Sequence, residues 1–350
     1  MVAMLILFAL GIAWLDFRSP EAPQSSQPRE TAPNQSRNAH LISAAMRSHQ
    51  INSGLIGTPT PARPVSYHIR LEKVLNYGRA EGEIGMIRGS GQTTLGPESF
   101  AIGNDGTILV ADLVNQRLLF YSLDGRFLRT FELPGIVPND IAVDAQGNFY
   151  VYDHMHRALS QYDLQGQTQG VLQFKPADID TRGYLHVVNN SIYFADAAAH
   201  DVLIATLGNG LLTAPDTSLE RITESIHGAS GRVYSIDMVK REAVKVSASD
   251  PTASQPALQL EIPFPGIVSA TFVGEDANRC FYLHTERLID GSVVLEVCAL
   301  NAAGELLAVT RMPENDYALW TAKLVAVTPD GEIVQFLPQR SHAKLNVFSR

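Results

Sequence analysis

Cysteine is scarce in this chain. Cys280 and Cys298 are the only two in 350 residues, so a single intrachain disulfide is the most it can form. Long apolar runs are scarce too. The one present, "MVAMLILFALGIAWL" from Met1 to Leu15, is short for a relaxed membrane span and suits a signal peptide or a membrane anchor. No Lys or Arg precedes it. Positive charge is deficient overall, with a formal net charge of −9. Residues 1–66 hold five Lys/Arg and three acids, which leaves 22 basic and 33 acidic residues for the remainder. An acidic body repels phosphate backbones, which excludes nucleic acid as a partner. Serine-hydrolase elbows, P-loops and Rossmann fingerprints are absent, and no complete catalytic constellation stands in their place.

What the chain does have is a repeat. "GPESFAIGNDGTILVADLVNQRLLFYSLDGRFLRTFEL" runs from Gly96 to Leu133, and "VPNDIAVDAQGNFYVYDHMHRALSQYDLQGQ" follows it. Asp112 and Asp153, Gly106 and Gly147, and Gly125 and Gly166 all share one offset of 41 residues. A period in this range, with several short strands per copy, signals a β-propeller. In the first copy, "SFAIG", "TILVAD", "RLLFYS" and "FLRTFEL" read as four strands, separated by turns at Asn104–Gly106 and Leu123–Gly125. Glycine supplies the positive φ such turns need. Strands this apolar are expected to be buried on both faces.

Later copies weaken but can be followed. Asp196 and Asp237 continue the Asp series, while a fifth copy has Thr285 there and a sixth has Leu337. The sixth copy stops after three strands. "YHIRLEKVLNYG" (Tyr67–Gly78) is a spare strand before the first copy. Pairing it with the last blade would close the ring and remove the free edges. The expected layout is a signal peptide or anchor over 1–18, a Pro/Ser/Gln-rich tether over 19–66, and an all-β, six-bladed propeller of four-stranded blades over 67–350. "GRAEGEIG" (Gly78–Gly85) reads as a loop into blade one. The apolar N-terminus points to an extracytoplasmic body that meets a membrane only through that segment.

The pattern "GP…FAI..DGTILVAD..NQRLLFYS.DGRFLRTF" resembles the NHL-repeat propellers, closely in blade one, well in blade two and more loosely after that. The resemblance covers about residues 67–350. It implies six blades around a central channel, in a family whose members include protein-binding scaffolds, RNA binders and a few metal-dependent enzymes.

Candidate sites follow from position. Asp112, Asp153, Asp196 and Asp237 stand at strand ends, where a carboxylate accepts backbone N–H groups and stabilises the blade. The entrances of the innermost strands face the channel, where ligands bind. They carry Glu98, Asn139, Asp140, Arg182, Glu224 and Lys323, a mixed ring suited to a polar ligand or a cation. Blade five is hard to align because of an extra residue near Glu275. Asn139-Asp140 resembles a dipeptide of gluconolactonase-like propellers in which the Asn helps hold a divalent metal, with Glu98 and Glu224 as further ligands. His186 and His227 occupy matching places on the inner strands of blades three and four. NHL-like lyases use His from different blades as zinc ligands, although two His fall short of the three protein ligands zinc takes. His154 and His156 read as part of a solvated turn.

Cys280 and Cys298 flank a hairpin. A turn centred on Ile289 would set them face to face for a disulfide, whereas one centred on Asp290-Gly291 would set them several residues apart. The reading at this level is a non-catalytic platform for a protein, peptide or glycan. The alternative is a metal-dependent hydrolase or lyase at the channel mouth, with calcium or zinc as the ion.

Overall fold

Each repeat folds into one four-stranded antiparallel sheet, and six such sheets form the ring. The computed structural model describes residues 65–88, 94–174, 183–196, 201–215, 225–250, 257–314, 316, 319 and 321–350. The expected signal or anchor and nearly all of the expected tether lie outside these residues.

The chain begins with β1 (His68–Asn76). Blade one is β2 (Phe100–Ile102), β3 (Ile108–Asp112), β4 (Arg117–Tyr121) and β5 (Phe127–Glu132). Blade two is β6 (Pro138–Val143), β7 (Phe149–Asp153), β8 (Ala158–Tyr162) and β9 (Thr168–Gln173). Blade three is β10 (Gly183–Val188), β11 (Ser191–Asp196), β12 (Asp201–Gly208) and β13 (Leu211–Thr213). Blade four is β14 (Ile226–His227), β15 (Val233–Val239), β16 (Ala243–Ser249) and β17 (Leu258–Pro263). Blade five is β18 (Ile267–Glu275), β19 (Phe281–Ile289), β20 (Ser292–Leu300) and β21 (Leu306–Arg311). Blade six takes β22 (Val325–Val327), β23 (Ile333–Pro338) and β24 (His342–Ser349) from the C-terminus. Its fourth strand is β1, paired antiparallel with β24 from His68↔Ser349 to Asn76↔His342.

The repeated glycines sit where turns demand them. Gly106 has φ +80° and Gly147 φ +85°, a conformation other residues adopt only with strain. Middle strands β3, β4, β7 and β8 are buried at every position, because blades stack on both of their faces. The core is therefore divided into apolar clusters between neighbouring blades. One joins Leu75, Phe336 and Leu345 of blade six to Phe100, Ile108 and Leu119 of blade one. Others join blades one and two, two and three, four and five, and five and six. The cluster of blades four and five also takes in Ala195 and Tyr184 of blade three, so among the described residues the seam between blades three and four shares it.

Two local readings are settled here. The extra residue near Glu275 is absorbed by a register shift between Phe272 and Gly274, one of two in β18. The β19–β20 turn centres on Asp290 (φ +50°) and Gly291 (φ +79°), with Ile289 opposite Ser292. Cys298 therefore faces Leu283, and Cys280 lies before the strand. Both thiols are free and buried, so the disulfide is ruled out by the register of the hairpin. Thiol titration of the unreduced, denatured chain is expected to count both cysteines; a count of zero would mean that the register is wrong.

Leu75 is 1% exposed in the closing strand. Leu75→Ala is expected to remove about 2–5 kcal/mol of stability, seen as a lower urea midpoint in one cooperative transition. A separate early transition of blade six alone would show that closure does not hold the whole ring.

Candidate functional site in the channel

Inner strands of all six blades line one cavity of about 420 Å³. Its polar lining includes Tyr184, His186, His227, His284, Glu286 and Lys323. Strand register brings the first group together. His186 on β10 lies opposite Tyr193 on β11, and β12 begins at Asp201 beside the end of β11. Asp201 N–H donates to Ser225 O at 3.1 Å, which places the start of β14, in blade four, against it.

Three side chains converge there. His186 Nε2 is 3.1 Å and His227 Nδ1 is 2.7 Å from the same atom, Asp201 Oδ2. The backbone N–H of His227 also donates to that oxygen at 2.8 Å. One ligand atom from each of the three residues lies within 4.8 Å of the others. Tyr193 stacks on both imidazoles, with ring centroids 5.5 Å from His186 and 4.3 Å from His227. The stacked rings and the shared carboxylate fix the direction of each imidazole. Asp201 is fully buried. Burial pushes its carboxyl pKa up, but His186 and the hydrogen bonds from both histidines outweigh this and hold it below the usual range. It is therefore an ionised carboxylate at neutral pH. Asp201 Oδ1 and His186 Nδ1 are buried without a partner.

Asp201 was not singled out from the sequence. Five residues after the repeated Asp the copies carry Arg117, Ala158, Asp201 and Glu242, so no repeat residue marks the position.

Most residues expected at the strand entrances form a second, closed cluster. Asp140 is buried and takes hydrogen bonds from the Ser99 hydroxyl on one oxygen and the Leu185 N–H on the other. Lys323 reaches across from blade six. Its Nζ is 3.5 Å from Asp140 and donates to Ile141 O at 2.9 Å and Leu185 O at 3.2 Å. Asn139 Oδ1 accepts the His154 N–H at 3.0 Å, and the Asn139 side chain also bonds Glu98. Arg182 and Glu224 lie outside the described residues. Asp140 thus serves as a staple between blades one, two, three and six, with both oxygens engaged.

The repeated Asp residues differ among themselves. Asp112 accepts from Gly85 N–H at 2.9 Å and pairs with Arg117 Nε at 2.9 Å. Arg117 in turn caps the carbonyls of Arg79, Ala80 and Glu83, which holds the Gly78–Gly85 loop in place. Asp153 accepts from Val137 N–H at 3.0 Å and lies 2.6 Å from His156 Nδ1. Asp196 ends β11 opposite Gly183. Asp237 is exposed inside β15 opposite Lys245, because β15 continues past that position.

Comparison with known proteins finds distant likeness to solved structures alone. No family model matches the chain, and no curated protein matches it. Among solved structures, Kuenenia stuttgartiensis hydrazine synthase is 15% identical, with 71% of this chain and 76% of that chain covered and a TM-score of 0.46. Virginiamycin B lyase from Staphylococcus aureus is 9% identical, with 80% and 99% covered and a TM-score of 0.43. The RRP9 WD40 repeats are 10% identical, with 79% and 100% covered and a TM-score of 0.44.

Glu98 gives a pH prediction. Burial raises its pKa from 4.5 to about 7, against the pull of its hydrogen bond to Asn139. A raised carboxyl favours folding in its protonated form, a contribution present below about pH 4.5 and lost as pH rises through about 7. Glu98→Gln keeps the neutral shape at every pH. The melting temperature of the parent is expected to fall by a few degrees relative to this variant across that window. Parallel curves for the two proteins would refute the shift.

Proposed function

We propose that this chain is an NHL-like propeller enzyme whose channel holds one divalent transition ion on His186, Asp201 and His227 and acts as a metal-dependent hydrolase or lyase. One observation carries the reading. A buried, ionised carboxylate supplies the third ligand atom that the two histidines alone lacked. Two imidazoles and one carboxylate suit zinc, and three protein ligands leave a coordination position open for water or substrate, as catalytic zinc sites do. When bound, such an ion polarises a carbonyl or activates a water molecule. The chain's own contribution is orientation. Tyr193 and the strand register hold both rings, the apolar inner strands limit bulk water, and the charge of Asp201 is kept by its partners. The N-terminal apolar segment supports export, so we place this activity outside the cytoplasm.

A second reading, the non-catalytic platform for a protein, peptide or glycan, draws support from the end of blade five. Val268, Leu288 and Val293 are exposed there, and Leu288 and Val293 are cross-strand neighbours.

Elemental analysis of the full chain after dialysis without chelator is expected to find close to one zinc per chain. Asp201→Asn and His227→Ala are each expected to lose it. Added zinc at a hundred times its dissociation constant should stabilise the parent by about 2.7 kcal/mol and leave both variants unchanged. A parent that carries no metal and gains no stability from zinc or calcium would leave the platform as the better reading.

A further inference from the structure

The channel contains a second polar group, on the wall formed by blade five. In β18 and β19, Ser269 lies opposite Glu286 and Thr271 opposite His284. All four line the same cavity as His186 and His227. Alternation along β19 sends Thr285 and Arg287 to the other face, where both are buried. Arg287 is committed there to Glu296, at 2.8 and 2.9 Å. Thr321, from the entrance of blade six, also lines the cavity, and its hydroxyl is buried without a partner.

The charges in this cavity are unequally satisfied. The ammonium of Lys323 is occupied by two carbonyls and Asp140. Glu275 accepts from Ser230 N–H at 2.9 Å and from Tyr234 Oη at 3.0 Å. Glu286 has no hydrogen bond or ion pair within the chain. Among the described lining residues, the carboxylate of Glu286 is therefore the one carboxylate or ammonium left without a counterpart. Glu286 is half-buried in this cavity, and a charge partly withdrawn from water gains from an opposing partner.

We infer that Glu286, His284, Ser269 and Thr271 form a subsite for an organic ammonium group, so that the channel takes small amine-bearing ligands. This rests on the reading of the channel as the ligand site, not on the metal. A primary ammonium offers three donors and no acceptor. Glu286 supplies the opposing charge. Burial lowers the pKa of His284 to about 4, so at neutral pH its ring is uncharged and has a lone pair to accept one N–H. The two hydroxyls accept the rest. Ile102 and Val143 of the same cavity offer apolar surface to a body attached to the amine. A carboxylate ligand would be repelled by Glu286 and would find Lys323 already engaged.

The test is calorimetric titration of the full chain at neutral pH with phenethylammonium, 2-phenylethanol and 3-phenylpropionate, three probes of similar size and different charge. Phenethylammonium is expected to bind at least tenfold more tightly than either of the others. Glu286→Gln should abolish that preference, and Glu286→Lys should reverse it in favour of the carboxylate. His227→Ala should leave it intact. Melting temperatures identify any variant that has failed to fold, and the preference of the parent is measured independently of them. Equal binding of the three probes by the parent, or an unchanged preference in folded Glu286→Gln, would overturn the subsite. Loss of metal binding with the ammonium preference intact would count against the proposed metal alone.

Discussion

Closure of the ring is the constraint from which the other features follow. β1 comes from before the first repeat and completes a sheet whose other three strands come from the end of the chain. Until that pairing forms, blades one and six each present an apolar face to water. The cluster around Leu75, Phe100 and Phe336 exists only in the closed form. A contact between the two ends of a long chain carries a large loop-closure entropy, which must be recovered from side chains buried along the seam. The channel is a product of the same event, because its wall needs all six inner strands.

Neighbouring blades are joined by apolar packing and by buried carboxylates that accept backbone N–H groups across a seam. Asp140 takes the N–H of Leu185 from blade three, Asp201 that of His227 from blade four, and Glu275 that of Ser230 from blade four. Inner-strand N–H groups that face an adjacent blade have no ladder partner there, and a buried donor left unmade costs about 1–3 kcal/mol. The carboxylates answer that need and in turn gain the partners a buried charge requires. Specific staples of this kind also set the rotation of one blade on the next, which non-directional apolar contact does not.

The repeat made the architecture legible. Offsets of 41 residues, turn glycines and an unpaired N-terminal strand were enough to count blades and to predict how the ring closes. The candidate site was only half legible. His186 and His227 could be matched along the inner strands, but Asp201 sits on the third strand of its blade, and only the folded seam shows that it reaches them. Conversely, Asp112 and Asp237 occupy corresponding sequence positions and have different surroundings. Asp112 is enclosed by the Gly78–Gly85 loop, whereas β15 runs beyond Asp237 and leaves it in solvent. Hairpin register decided the cysteines, and two-residue turns are set by local backbone preferences that spacing alone does not resolve.

The seam between blades three and four is where the staple exceeds its structural task. Asp140 is fully consumed by holding its neighbours. Asp201 does the same work through its contact with the His227 N–H, yet it also draws in two imidazoles and keeps Oδ1 without a partner. An apolar pair in place of the histidines would pack the seam at least as well, since buried polar clusters contribute little net stability compared with hydrophobic replacements. Here Ala195 and Tyr184 of blade three pack into the apolar cluster of blades four and five, and a stacked His–Tyr–His group with a buried carboxylate stands beside that packing. Apolar packing already joins the two blades, so the polar group adds direction to the contact more than net stability. That direction, two imidazoles turned toward one carboxylate on the channel wall, is what the proposed ion site rests on.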